Sequence, residues 1–425
     1  MVIVVGGGWG GCAAAFAATL AGADVTLVER TDMLLGTGLV GGIMCNNGRL
    51  TAFEEAAAMG GESFMAVIKS VARHHNISFP GHKHAMLYDV TKIEPAMRGL
   101  LIGLNVNLLL QTRVVAVEKK GDKVLSVRTA DGKIIEGSSF VDTTGSAGPQ
   151  GNCLKYGSGC AMCILRCPTF GPRVSVTAKS GISEMQAGEG FPHFEAMSGS
   201  CKLDKNSLGS ELVKKLENDG VLVVPIKPDL QNNSLLGKKA CQQYALHDFT
   251  ENLVVLDTGH AKLMTPYFPL DVLRTLRGFE NARYADPYSG GRGNSIRFMS
   301  IAPCDNGLRV GGTENLFCAG EKTGPLVGHT EAIVTGFLAG HNAARCVAGM
   351  EPLELPESLV SGDLIAFMHR EMKTNKGLKK KYTFSGSVYF DRMKQLGFYL
   401  TDCEDIRIKV SGAGMEGVYK KKLLP

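Results

Sequence analysis

The chain opens on a run that leaves few folds available to it: VIVV, four β-branched apolar residues, leads directly into the glycine-rich GGGWGG. A continuous β-branched run of this length is the pattern of a parallel strand buried on both faces. Gly6, Gly8 and Gly11 complete G-x-G-x-x-G, and the alanine-rich stretch from Cys12 to Ala21 continues as a helix. With no Cβ in the way, the backbone N–H groups of such a turn close on a pyrophosphate held at the helix N-terminus. A second strand, ADVTLVE, ends in Glu29 at the distance where a carboxylate takes ribose hydroxyls, with Arg30 beside it. Strand, turn, helix, strand and acid in this order predict a dinucleotide-binding fold.

A segment some 300 residues later selects FAD over NAD. ENLFCAGEKTGPLVGHTEAIVTGFLAGHNAA places an apolar strand before Ala319, Gly320 and Glu321, then a small-residue, glycine-rich helix. In two-dinucleotide-binding flavoproteins the returning strand delivers an acid to the ribityl chain, and the following helix turns its positive N-terminus toward the flavin pyrimidine. Glu321 is therefore the ribityl candidate, with Gly328, His329 and Thr330 near the ring. An ordinary strand and helix of an α/β domain is the competing explanation. Between the two segments, residues 107–145 read as strands broken at Lys119-Lys120-Gly121-Asp122 and Asp131-Gly132, closing with FVDTTG and its terminal Gly145. That is the small meander and last strand of an FAD domain. No second G-x-G-x-x-G follows a strand, so the sequence carries no dedicated NAD(P)H domain.

At 425 residues the chain exceeds what one core supports, and two or three domains are expected. No apolar run reaches the length of a membrane span, and the first residues lack the features of a signal peptide, so a cytoplasmic protein with no membrane contact is expected. In that setting the twelve cysteines suit metal, redox or core roles better than a disulfide framework. The excess of positive charge gathers late, at Lys373, Lys376, Lys379, Lys380 and Lys381 and again at Lys420, Lys421 and Lys422, where it suits phosphate contact or a solvated surface.

The first glycine turn, CNNGRLTAFEEAAAMGGESFM and ENLFCAGEKTGPLVGHTEAIVTGFLAGHNAARCVAGMEPLELP together resemble the GidA-like flavoproteins, a family of FAD-dependent tRNA-modifying enzymes. The resemblance implies the fold, FAD, and RNA as a partner, with folate in the methyltransferase branch. It also implies that Cys45 and Asn46 lie on a loop near the flavin and that a helix ending in the paired Gly60-Gly61 follows. In the methyltransferase branch the matching cysteine does covalent chemistry. Cys45 would then need a helix N-terminus or a cation such as Arg49 to hold its thiolate; a buried, inert thiol is the alternative. The departures are His329 and Glu331, in a stretch where the family carries small residues.

The middle of the chain holds YGSGCAMCILRCPTFGPRV, in which Cys160, Cys163, Cys167 and Pro168 make C-x2-C-x3-C-P, the closing spacing of a ferredoxin ligand run. Cys153 is the nearest fourth ligand, and Cys201 and Cys241 are others. A 4Fe-4S cluster, zinc, a dithiol redox pair and a packed pocket lining all remain open. His74, His75, His82 and His84 have irregular spacing around Pro80-Gly81 and read as a surface loop. His260, Lys262, Arg292 and Arg297 suit carboxylate or phosphate recognition, with a structural role equally open.

These readings add up to an α/β chain: a two-dinucleotide-binding-type FAD domain, with parallel sheet, helices and small β-meander, holding an inserted α/β substrate domain. The expected boundaries are 1–150 and 301–360 for the two parts of the FAD domain, 151–300 for the insertion and 361–425 for a helical, basic C-terminal segment. The expected function is an FAD-dependent oxidoreductase with an iron-sulfur relay to the flavin, acting on a small-molecule substrate or protein redox partner, with NAD(P)H or the relay as electron source. The alternative is a folate- and FAD-dependent RNA uridine-modifying enzyme.

Overall fold

The computed structural model describes residues 1–146, 169–187, 201–238, 242–265, 268–285 and 299–425. Its organising element is a five-stranded parallel sheet in the order 316–318, 139–142, 2–5, 25–28, 107–109. Val2–Val5 is buried at every residue, as its unbroken β-branched run requires. Asn107–Leu109 joins this sheet, so the meander proper is Val114–Lys120, Lys123–Thr129 and Ile134–Glu136, with turns at both of the expected breaks. A four-stranded antiparallel sheet lies in the middle of the chain, in the order 201–203, 261–263, 252–257, 221–225, with the amphipathic helix Ser210–Asp219 against it. The architecture is mixed α/β.

The helix Trp9–Leu20 packs along the helix His329–Val347, and small residues set how closely they approach. A Cβ added at Gly336 would lie 2.4 Å from the Gly10 carbonyl oxygen, and one at Gly340 would lie 2.0 Å from that of Ala14. Phe16, Phe64 and Phe337 then fill the space beside this contact, with ring centroids 5.2 to 5.6 Å apart. Residues 360–412 carry four helices, Val360–Met372, Asn375–Leu378, Ser387–Gln395 and Cys403–Gly412. Beyond them Val418 and Tyr419 are buried, and Leu423 and Leu424 donate backbone hydrogen bonds to Ala21, at the end of the first helix. Among the described residues no helix is long and apolar enough to cross a membrane.

One local expectation is corrected. The histidine-rich stretch is an antiparallel hairpin, Ala72–Phe79 with His82–Tyr88, and not a surface loop; His82 is buried and His74 pairs with the buried Asp257. The helix that begins at Arg49 ends at the paired glycines: Gly60, with φ of 119°, breaks the helical backbone, and a second helix, Glu62–Ser70, starts across the kink. A Cβ at Gly61 would fall 2.6 Å from the Phe337 ring, so the kink lies where the chain meets the long helix.

The helix contact yields a first prediction. In Gly340→Ala the methyl meets backbone, which cannot move aside as a side chain tip does, and overpacking of this kind costs about 1–3 kcal/mol. Alanine's better helix propensity returns at most ~1 kcal/mol. Equilibrium denaturation is therefore expected to show a net loss, and an unchanged midpoint would mean that the two helices yield freely.

Candidate functional site

A cavity of about 1180 Å³, including its open mouth, lies across the C-terminal ends of strands 2–5, 25–28, 139–142 and 316–318. This is where an open parallel sheet receives ligands. Gly6, Gly8, Trp9 and Gly10 line it from the first turn, Glu29, Arg30 and Thr31 from the second strand, and Thr143, Thr144 and Gly145 from the fourth segment. Ala319, Gly320, Glu321, Gly328, His329 and Ala332 complete the wall. Both Trp9–Leu20 and His329–Val347 thus present their N-termini to one cavity, which gathers unpaired N–H groups and two positive helix ends there.

The glycines of the first turn divide by role. Gly6 has φ of +104°, and a Cβ on Gly11 would come within 1.8 Å of the Gly6 carbonyl oxygen, so both are needed to form the turn. Around a Cβ at Gly8 there is nothing within 4 Å, and Gly8 lines the cavity. Its bareness serves whatever lies in the cavity. Glu29 is oriented by the backbone N–H groups of Gly7 and Thr31, which donate to its two carboxylate oxygens at 2.7 Å each. Ser146 donates to Glu321 Oε2 at 2.7 Å.

Of the residues singled out from sequence, Gly6, Gly8, Glu29, Arg30, Gly145, Gly320, Glu321, Gly328 and His329 line the cavity, whereas Gly11, Thr330, Cys45 and Asn46 do not. Sequence reasoning missed Arg113 and Arg173, which add guanidinium groups beside Arg30, and it passed over Trp9. Trp9 lies inside the glycine motif itself and was legible as its only bulky member. Its ring and those of Tyr88 and His329 meet with centroids 5.9 to 6.4 Å apart. The His329 ring also sits over Gly41, where a Cβ would be 1.7 Å from it. Cys153, Cys160, Cys163, Cys167, Cys241, Arg292 and Arg297 lie outside the described residues. Among the described residues, no group of three or more His, Cys, Asp or Glu is arranged to hold a metal.

Beside the cavity, the loop that carries Cys45 is held in unusual backbone: Cys45 has φ of 60° and Asn47 of 56°. Left-handed conformations at such residues are costly and persist only where the surroundings enforce them. Here a buried polar network does so. Asn46 Oδ1 accepts from Arg49 Nη1 at 3.1 Å, and Asn47 Nδ2 donates to the carbonyls of Gly81 and Ser385. Arg49, expected to assist the Cys45 thiolate, has its Nε on both oxygens of Glu331, at 3.0 and 3.1 Å, with both side chains buried. Glu331 also accepts from Thr383 Oγ1 and from the Phe384 backbone N–H. Burial, with the Glu54 charge adding to it, pushes the Cys45 thiol well above its ordinary value, so in this arrangement it is protonated. Arg49→Met would leave Glu331 buried and unpaired, at a cost of about 3–5 kcal/mol. Denaturant titration should show that loss, with most of it recovered in Arg49→Met/Glu331→Gln; equal stability of the single and double variants would exclude the pair as its cause.

Comparisons with known proteins agree with this fold. The family model described as Glucose inhibited division protein A matches residues 1–257 and 250–351. A methylenetetrahydrofolate–tRNA-(uracil-5-)-methyltransferase TrmFO of Synechococcus sp. (strain CC9605) is 46% identical over 54 residues, 13% of this chain and 12% of that protein. The TrmFO of Caldicellulosiruptor bescii is 32% identical over 114 residues, 26% of this chain and 25% of its own length. The alignments with these curated relatives therefore span a quarter of their length or less. Among solved structures, Aquifex aeolicus GidA in its form II crystal superposes with a TM-score of 0.64 at 17% identity, covering 98% of this chain and 73% of that one, a likeness of fold. With its family model matched over most of its length, this chain belongs to the glucose inhibited division protein A family of FAD-dependent flavoproteins.

Proposed function

We propose that this chain is an FAD-dependent enzyme that methylates a uracil ring of RNA at carbon 5, with methylenetetrahydrofolate as the carbon source. The observation that carries the cofactor half of this reading is the convergence of two helix N-termini and a bare Gly8 on one cavity that also holds Glu29 and Glu321. A dinucleotide fits such a donor set: N–H groups and the Arg30, Arg113 and Arg173 guanidinium groups for phosphate, carboxylates for ribose and ribityl hydroxyls. The TrmFO relatives support the reaction half.

In this reading Gly6, Gly8 and Gly11 shape the pyrophosphate turn, Glu29 and Arg30 take the adenosine side, and Gly145, Gly320 and Glu321 border the ribityl chain. Gly328 and His329 would lie at the ring, with Thr330 buried behind them. Bound flavin supplies the electron or hydride transfer that turns a methylene unit into a methyl group. Trp9 and His329 line one end of the cavity, with the buried Tyr88 ring packed against both, and would exclude water there. Cys45 is the nucleophile of this reading, with Asn46 positioning its loop. Its protonated resting state means that the network around Arg49 and Glu331 has to shift before the thiolate forms. Residues 1–150 and 301–360 serve as the FAD domain, 151–300 as the substrate domain, and 361–425 as a basic segment whose exposed Lys373, Lys376, Lys421 and Lys422 suit RNA phosphates. The other reading, an iron-sulfur flavoprotein oxidoreductase, rests on the spacing of Cys153, Cys160, Cys163 and Cys167 alone.

Three measurements test this. Purified protein incubated with undermodified tRNA, methylenetetrahydrofolate and NAD(P)H is expected to give 5-methyluridine, and its absence from every substrate tried would refute the RNA reading. Iron analysis after anaerobic purification is expected to find flavin without iron; stoichiometric iron would restore the oxidoreductase reading. Gly8→Ala, whose Cβ has no protein atom within 4 Å, is expected to keep the wild-type denaturation midpoint of the apoprotein and to weaken FAD binding by about tenfold or more. Unchanged affinity would remove the pyrophosphate from this turn.

A further inference from the structure

Away from the cavity mouth, the structure brings together a cysteine, a histidine and an asparagine that the proposed reaction does not use. Cys304 and Asn306 follow strand Met299–Ile301, and His369 lies on helix Val360–Met372. The Cys304 sulfur is 3.7 Å from His369 Nε2, and His369 Nδ1 is 3.0 Å from Asn306 Oδ1. The Thr323 carbonyl oxygen lies 3.2 Å from Nε2 and 3.9 Å from the sulfur. Each ring nitrogen thus faces an oxygen acceptor, which favours the doubly protonated imidazolium, and a cation beside a sulfur favours the thiolate. Burial opposes a charge on His369, but Cys304 beside it outweighs that and raises the imidazole above its ordinary value.

The other titratable groups that act on this sulfur are Cys318, which is buried, and Asp305. Asp305 opposes a thiolate, but it is exposed and pairs with Arg309, whose Nε is 3.6 Å from its Oδ2. Other cysteines stand in different surroundings. The thiols of Cys12 and Cys346 donate to the Gly7 and Glu314 carbonyls, and burial pushes the thiols of Cys12, Cys45, Cys201, Cys346 and Cys403 up. Exposure ranks them otherwise: Cys403 is exposed, whereas Cys304 is only partly so. Asn306 also borders a cavity of about 260 Å³, including its open mouth, together with Gly362, Ile365 and Ala366 of the His369 helix. Space for a small molecule therefore adjoins the imidazole's asparagine partner.

We propose that Cys304 is a thiolation site, at which the sulfur beside His369 exchanges with a low-molecular-weight disulfide and carries its small thiol as a mixed disulfide. The Cys304 thiolate attacks one sulfur of the small disulfide. A new S–S bond forms, the old one breaks, and its other half leaves as a thiolate that takes the His369 Nε2 proton. Cys304 is oxidised by the bond it gains, and the half that leaves is reduced to a thiol. Excess small thiol runs the exchange backwards. Thr323, whose carbonyl faces the sulfur, follows the turn Gly320–Lys322, so the modified residue would stand beside the turn that carries Glu321.

The test uses the full-length protein as purified, and its outcome is independent of whether RNA is the substrate. Bis(2-hydroxyethyl) disulfide, small and uncharged, is added at pH values from about 6 to about 9, and the adducts are read by peptide mass spectrometry. Near pH ~6.5 Cys304 is expected to be modified about threefold or more faster than the more exposed Cys403, because more of it is thiolate. The ratio should fall as the pH passes the ordinary cysteine value of ~8.5 and Cys403 ionises. Dithiothreitol should remove the adduct, and His369→Gln should erase the advantage at the lower pH. Faster modification of Cys403 at that pH, a ratio that does not change with pH, or no Cys304 adduct at all would overturn the proposal in the unmutated protein, whether or not the variant folds; so would an advantage kept in a folded His369→Gln.

Discussion

The rest of this structure depends on how closely two helices far apart in sequence can approach. Gly10 and Ala14 on Trp9–Leu20 meet Gly336 and Gly340 on His329–Val347 with backbone against backbone. Larger side chains would hold the helix axes apart, and the two N-termini would no longer reach one cavity. The five-stranded sheet fixes the same relation from below, because strand 139–142 lies between 2–5 and 316–318 and ties the early and late segments in register. Helix spacing and strand order therefore determine jointly where the donor groups of the cavity point.

A second constraint lies against the first. Arg49 and Glu331 form a buried ion pair whose remaining polar atoms are met by Asn46, Val327, Thr383 and Phe384. Buried pairs are weak sources of stability but exact a large penalty when halved. What this one contributes is position. It holds the Cys45 loop, the start of the long helix and the segment around residue 383 in one arrangement, and Asn46 and Asn47 extend it to His82 on the hairpin. The left-handed backbone at Cys45 and Asn47 is stored against this framework.

The sequence revealed those parts of the site that one strand-turn-helix unit specifies locally. Gly6, Gly8 and Glu29 lie within a single such unit, and Gly320, Glu321, Gly328 and His329 lie in another, so short-range pattern was enough to find them. Arg113 and Arg173 come from other segments, and only the sheet order carries them to the cavity. Arg49 and Glu331 are 282 positions apart, a separation at which spacing carries no information. The histidine hairpin was hidden for a different reason: register shifts at Ala72/His74, His74/Ile77 and Ile77/Phe79 break the alternation by which a strand is recognised. The paired Gly60-Gly61 was legible as a helix end because glycine readily takes the positive φ, here 119° at Gly60, that breaks a helix.

The hydrogen bonds from Leu423 and Leu424 to Ala21 bear on how the protein is made. The first strand and helix emerge from the ribosome early and carry some of the most apolar sequence in the chain. Their partners, strand 316–318, helix 329–347 and residues 418–424, arrive hundreds of residues later. Contacts of such long sequence separation form slowly, and until they form the early strand has an open edge and an uncovered face. Synthesis therefore includes an interval in which this apolar segment is uncovered, and a translational pause before residue 316 would prolong it.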